Sequence, residues 1–64
     1  MKNIDLVKHI RKHGCVFMRE GGSHSVRYNP LTGRTSTMPR HIEINTYTGK
    51  KICGDLGVPI IKKR

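Results

Sequence analysis

The sequence is poor in the residues from which most enzyme sites and membrane proteins are built. It contains no tryptophan, one phenylalanine, two tyrosines and four acidic residues in 64 positions. None of the acids sits in a recognisable nucleophile motif, so neither a Ser-His-Asp triad nor the paired carboxylates of two-metal nucleases are predicted. No apolar run approaches the roughly 20 residues that a membrane span needs. The glycine motifs of nucleotide-binding enzymes are missing as well.

Cysteine and histidine give no sign of a metal centre. Cys15 and Cys53 form neither a Cys-x-x-Cys pair nor a disulfide framework. His9 and His13 are four residues apart on a predicted helix, which is metal-ligand spacing, but two histidines alone are more often solvated helix-end residues. We therefore predict no metal and no cofactor. The N-terminus lacks the long apolar core of a signal peptide, so a reducing cytoplasm is the expected compartment.

What the sequence does have is positive charge. Thirteen Lys and Arg residues against four acids give a formal net charge of +9, and the basic residues recur along the chain from Lys8 to Arg64. Such a field attracts polyanions and releases their counterions. Nucleic acid is the leading partner. An ordinary basic surface remains an alternative, and an anionic membrane is a weaker one because no segment pairs a basic face with an aromatic-anchored apolar face.

The chain is long enough for one small domain only. A domain of this size buries roughly 60% of its unfolded surface, so its core is thin. A deep, self-sufficient enzyme cleft is not expected. Any chemistry should need only one or two side chains.

The clearest local pattern predicts a helix over residues 3–13. Ile4, Val7 and Ile10 recur at a spacing of three, which gives an apolar stripe. Asn3 is the expected N-cap and Gly14 the left-handed stop.

Three β-prone segments follow, over residues 15–19, 24–28 and 34–38. Gly21 and Gly22 suit a tight hairpin turn, and residues 29–33 form a loop with turn chemistry. In the second strand Val26 and Tyr28 share one face and Ser25 and Arg27 the other. His24 falls on the face of Val26, so it could lean toward the core.

A second helix is predicted from Asn45 or Thr46 to Leu56. Ile52, Cys53 and Leu56 share a face that Tyr47 and Val58 can extend, and Gly57 is the expected C′ residue. Gly49 and Gly54 weaken this helix, each by about 1 kcal/mol relative to alanine.

The resulting order is α-β-β-β-α. It predicts a two-layer α+β domain, with two helices on one face of a three-stranded antiparallel sheet, in a topology that resembles the double-stranded RNA-binding domain. We assign residues 1–58 to this single domain and residues 59–64 to a basic tail.

One motif points to chemistry, namely Gly22-Ser23-His24. A histidine that opens a strand directly after a glycine turn is held on a firm element yet is accessible to a polymer. Imidazole takes and gives protons near neutral pH, which is what RNA transesterification needs when the ribose 2′-OH attacks its own phosphate. The simpler alternative is a strand-end histidine that hydrogen-bonds a turn.

The arrangement resembles the HicA-type toxins, small basic ribonucleases that cleave messenger RNA and are neutralised by a HicB-type antitoxin. The similarity extends to about Val58. It rests on Lys-His-Gly (residues 12–14), Gly-Ser-His (22–24), Met-Pro-Arg-His (38–41) and Leu-Gly-Val (56–58).

The resemblance implies that His24 is the catalytic residue and that Gly22 and Ser23 shape the turn that presents it. His41 matches a family position where a structural role is at least as plausible as substrate contact. Candidates for phosphate contact, chosen on charge, are Arg27, Arg34, Lys50 and Lys51.

The leading hypothesis is a metal-independent endoribonuclease with one catalytic histidine, RNA as its substrate and a HicB-type antitoxin covering the region of His24. The first alternative is a non-catalytic RNA-binding module of the same fold. A structural nucleic-acid protein, such as a small ribosomal component, is the second.

Overall fold

The computed structural model describes residues 1–61. The predicted α-β-β-β-α order is confirmed. Lys62, Lys63 and Arg64 of the predicted basic tail lie outside the described residues. The elements are α1 (Asn3–Lys12), β1 (Val16–Gly21), β2 (His24–Asn29), β3 (Arg34–Pro39) and α2 (Thr46–Leu56).

Helix α1 begins and ends close to the predicted positions, but its N-cap prediction is wrong. Asn3 is the first helical residue; the N-cap is Lys2, which makes no side-chain capping bond. The Asn3 amide instead donates a 2.9 Å hydrogen bond to the Pro39 carbonyl, which ties the start of α1 to the end of β3. After the helix, Gly14 has a φ of +93°, as expected for a left-handed stop.

The three strands form an antiparallel sheet in the order β1-β2-β3. Gly22 and Ser23 form the turn between β1 and β2, and only Gly22 of the predicted glycine pair has a positive φ, at +47°. The register between these strands shifts from Phe17 opposite Arg27 to Arg19 opposite Val26, so Met18 is an extra residue in a β-bulge.

The face of β2 that packs on the helices is the one that carries polar residues. Met38 of β3 is buried in the core, and its cross-strand partner is Ser25. Residues directly opposite each other share a face, so Ser25 lies on the helix side, whereas Val26 lies on the open side with exposed Thr37. The expectation that His24 could lean toward the core is therefore wrong, because His24 shares the open face and is exposed.

Helix α2 is fixed at both ends. The Asn45 side chain accepts a 2.7 Å hydrogen bond from the Tyr47 backbone N–H, which caps the first turn. At the other end the Leu56 carbonyl accepts bonds from the buried Asn29 amide at 2.7 Å and from the Thr32 hydroxyl at 3.1 Å. Gly57 is the left-handed residue that ends the helix, as predicted.

The core lies between the sheet and the two helices. Tyr47 is 76% exposed, so the prediction that it extends the apolar face of α2 is wrong, whereas Val58 packs against the core. Burial, and secondarily the neighbouring Cys53, raises the pKa of the Cys15 thiol, which stays neutral in the folded protein. The buried apolar residues are Met1, Leu6, Ile10, Cys15, Met38, Ile44, Ile52, Cys53 and Leu56.

The segment before α1 pairs with the segment before α2, which the sequence did not predict. The Asn3 N–H donates to the Ile42 carbonyl at 2.9 Å, and the Ile44 N–H donates to the Met1 carbonyl at 2.7 Å. The Met1 side chain then packs on Gly49, where a Cβ atom would lie 2.6 Å from the methionine Cε. This close approach explains a glycine inside α2.

Candidate active site

His24 stands at the end of the sheet, where three elements meet. It is the first residue of β2 and pairs with Gly21 of β1 and Pro39 of β3. Its side chain is exposed on the open face, so a polymer that crosses this face can reach it. The Ser23 hydroxyl lies 3.3 Å from its Nδ1. Among residues 1–61, Nε2 has no hydrogen-bond partner, which leaves it available to a substrate.

Arg40 holds the turn that presents His24. Its guanidinium donates a 2.7 Å hydrogen bond to the Gly22 carbonyl and forms an ion pair with Glu20 at 3.2 Å. The Ser25 hydroxyl donates to the same Glu20 carboxylate at 3.3 Å. Because these groups are solvent-exposed, the ion pair itself contributes at most about 1 kcal/mol to stability. Its main effect is to fix the position of the turn.

A second arginine shares the open face with His24. Arg19 is exposed and lies opposite Val26, the residue two positions after His24 on the same face. A diagonal relationship of this kind separates residues by about 7–8 Å, within reach of a long side chain. The bulge at Met18 produces this register, because an unbroken pairing would place residue 18 opposite Val26. Arg19 can therefore contact a phosphate that lies beside His24.

The structure brings together the residues of the Gly-Ser-His motif but does not gather the four predicted phosphate-binding cations around it. Arg27 lies on the helix side of the sheet, with its guanidinium carbon 5.4 Å from the centroid of the Phe17 ring. Arg34 pairs with Asn29 at the opposite end of β2, about 17 Å from His24 for a strand rise of about 3.4 Å per residue. Lys50 and Lys51 are exposed on α2, which packs on the other face of the sheet.

Arg40 and Arg19 were not selected from the sequence. Arg40 lies inside Met-Pro-Arg-His, directly after the strand that pairs with His24, and that position is the signal that could have identified it. Arg19 gives no such signal, because its face depends on the bulge. His41 is exposed, next to Arg40.

The remaining histidines are engaged elsewhere. The His9 Nε2 donates a 2.6 Å hydrogen bond to the Pro59 carbonyl, and its ring contacts His13 edge-on at 4.8 Å between centroids. Within residues 1–61, no cluster of three or more His, Cys, Asp or Glu side chains could hold a metal ion. In the same part of the chain, no helix has the length and apolar character to cross a membrane.

No curated protein and no solved structure matches the chain. The family described as the HicA toxin of bacterial toxin–antitoxin systems matches residues 5–58, which include the whole sheet, the His24 hairpin, α2 and all but the first two residues of α1. The chain therefore belongs to the HicA toxin family and is the toxin component of a toxin–antitoxin system.

Proposed function

We propose that this toxin is a metal-independent endoribonuclease that cleaves messenger RNA, with His24 as its single catalytic histidine. The observation that carries the proposal is the exposed imidazole at the end of the sheet, where Arg40 anchors the preceding turn and Arg19 lies diagonally across from it. The net charge of +9 supports RNA as the polyanion that it meets.

The chemistry follows from what an imidazole can do beside a ribose phosphate. The Nε2 atom accepts the proton of the 2′-OH as that oxygen attacks the adjacent phosphorus and the bond from phosphorus to the 5′-oxygen of the next nucleotide breaks. The leaving 5′-oxygen takes a proton from water, and the imidazolium returns its proton to the solvent. The products are a 2′,3′-cyclic phosphate and a new 5′-OH end. A positioned base contributes about 10²–10⁴-fold to the rate, and Arg19 stabilises the charge that develops on the phosphorane.

The Ser23 hydroxyl gives the imidazole an orientation. Its contact with Nδ1 restrains the ring and keeps Nε2 directed away from the turn. Gly22 allows the turn to form with a positive φ, and its carbonyl is the anchor point for Arg40. These roles need no group from outside the chain.

The test is cleavage of an mRNA by the wild-type protein, His24→Ala and His13→Ala, each with excess EDTA, with product ends identified and RNA affinity measured separately. We expect His24→Ala to lose cleavage by at least about 10²-fold while its RNA affinity stays within about twofold, since one imidazole adds little to the phosphate attraction of thirteen Lys and Arg residues. His13→Ala is the matched control, because His13 lies at the far end of α1, and it should cleave normally.

Each other outcome identifies a different error. Equal cleavage by wild type and His24→Ala would show that another group is catalytic. Loss of cleavage in EDTA would show that a metal is required. Binding without cleavage by the wild-type protein would favour the RNA-binding module of the same fold.

A further inference from the structure

A groove of about 480 Å³ lies on the helix side of the sheet, behind the hairpin that carries His24. Its walls are mainly aliphatic and come from Ile4 and Val7 of α1, Met38 of β3 and Ile42. It exists because the helices leave part of the sheet uncovered. Helix α2 packs chiefly on β3, and Phe17 of β1 remains 50% exposed.

Two of the residues that line the groove are largely exposed to solvent. Ile42 is 87% exposed and Ile4 is 59% exposed. Covering these aliphatic side chains with a partner would remove apolar surface from water, which is favourable.

The rim of the groove carries positive charge and no carboxylate. Lys2, Arg27 and Arg40 line it, whereas none of its lining residues is acidic. The Arg27 Nε is buried and has no hydrogen-bond partner within residues 1–61. An unsatisfied buried donor is destabilising, so an anionic acceptor supplied by a partner would satisfy it.

The walls fit a polypeptide better than RNA. Proteins bind unpaired RNA bases by stacking them on several aromatic rings. His41 is the one aromatic residue among those that line the groove, and the nearby Phe17 ring already lies under the Arg27 guanidinium. Aliphatic grooves with charged rims are typical of sites that bind one face of a peptide segment. Charge complementarity then requires that this segment be acidic.

We propose that the groove binds an aliphatic side chain of an acidic polypeptide segment whose carboxylates pair with Lys2, Arg27 and Arg40. Pro39 and Arg40 line the groove, and Pro39 also pairs with His24. A segment anchored in the groove thus lies beside the hairpin and can continue over the His24 end of the sheet. The identification of this partner as the antitoxin rests on the family and on the proposed function; the site itself rests on the groove.

The experiment uses the full chain and the antitoxin encoded beside its gene, with affinity measured by calorimetry for wild type, Ile42→Glu and Leu31→Glu. Leu31 is the matched control because it is 83% exposed, lies in the β2–β3 loop outside the groove, and receives the same added charge. We expect Kd to rise at least about tenfold for Ile42→Glu, as follows from losing one buried aliphatic contact, and to stay within about twofold for Leu31→Glu. Thermal melts confirm that both variants fold.

A second measurement tests the class of partner. Methyl resonances of Ile4, Val7 and Met38 are followed during titration with the antitoxin and with a 2′-O-methyl uridine octamer, which cannot be cleaved. We expect the antitoxin, and not the RNA, to shift them. The proposal would be overturned if the RNA, and not the antitoxin, shifted these methyl resonances. It would also be overturned if Ile42→Glu and Leu31→Glu lost the same antitoxin affinity, or if the wild-type toxin did not bind the antitoxin.

Failure here is distinct from failure of the ribonuclease function. Cleavage by the wild-type toxin without antitoxin tests the function alone. If the toxin cleaves RNA but Ile42→Glu leaves its antitoxin affinity unchanged, only the groove proposal is contradicted. If Ile42→Glu weakens antitoxin binding but the wild-type toxin never cleaves RNA, only the ribonuclease proposal is contradicted.

Discussion

The Arg40 guanidinium donates a 2.7 Å hydrogen bond to the carbonyl oxygen of Gly22, a residue 18 positions earlier in the chain. This bond connects the residue that follows β3 to the turn between β1 and β2. His24 lies two residues after Gly22, and its backbone pairs with Pro39, the residue before Arg40. The bond between Arg40 and Gly22 therefore joins the two backbone segments that flank His24.

Replacing Arg40 should impair cleavage more than folding or RNA affinity. Arg40→Met removes the anchor of the turn, and a misplacement of about 1 Å in a reacting group can cost about 10²-fold in rate. We expect kcat to fall by at least about tenfold, with a change in the free energy of unfolding below about 1 kcal/mol because the ion pair is exposed. Single-turnover cleavage and urea unfolding measure the two quantities.

The matched control for Arg40→Met is Arg11→Met, which removes the same charge from an exposed position on α1. If both variants lose the same amount of kcat, the loss reflects charge and the positioning role is wrong. Arg40→Lys keeps the charge but replaces the guanidinium that donates to the Gly22 carbonyl, so little recovery of kcat in this variant would support the geometric role.

Arg19 should affect the chemical step, because its register places it beside His24 on the open face. Arg19→Gln should lower kcat by about 10–10²-fold if the guanidinium stabilises the phosphorane. Arg11→Gln should instead weaken RNA binding slightly, through lost phosphate attraction, and leave kcat unchanged. Single-turnover rates at saturating protein separate these effects, and a purely KM effect of Arg19→Gln would contradict the assignment.

The two glycines inside α2 should respond to alanine in opposite directions. A Cβ at Gly54 meets nothing within 4 Å, so Gly54→Ala should raise the free energy of unfolding by about 0.5–1 kcal/mol. A Cβ at Gly49 would collide with the Sδ and Cε atoms of the buried Met1 side chain. Overpacking costs about 1–3 kcal/mol and helix propensity returns about 1 kcal/mol, so Gly49→Ala should lower the free energy of unfolding by up to about 2 kcal/mol. Urea unfolding measures both, and an equal stabilisation of the two variants would show that Met1 does not pack there.

Local features of the fold could be predicted because their causes are local. The stop at Gly14 and the end of α2 at Gly57 follow from the conformational freedom of glycine at a left-handed position. The order of elements follows from hydrophobic spacing and turn residues. By contrast, the pairing of Met1 with Ile44 joins distant segments that carry no pattern of their own.

The orientation of β2 could not be derived from alternation. A period of two separates Val26 from Ser25 but does not say which faces the core. Here the buried side contains Asn29 and Ser36, whose polar groups are satisfied by the Leu56 carbonyl and by Asp55. Hydropathy alone would predict that the face with Val26 and Tyr28 packs on the core.

The candidate site was only partly visible in the sequence for the same reason. His24 belongs to a short contiguous motif and could therefore be named from the sequence. Positive charge selected Arg27 and Arg34 without regard to position, and neither lies beside His24. Arg40 and Arg19 depend on contacts and register that form only in the folded chain.

The bulge at Met18 also affects whether β1 can pair with a strand of another molecule. Strand β1 is an outer strand of an open sheet, and a straight outer strand offers its free backbone groups to a strand from another molecule. The extra residue breaks the regular spacing of those groups and increases the local twist, and the charged Arg19 and Glu20 follow it directly. One inserted residue thereby disfavours pairing of β1 with a strand of another molecule.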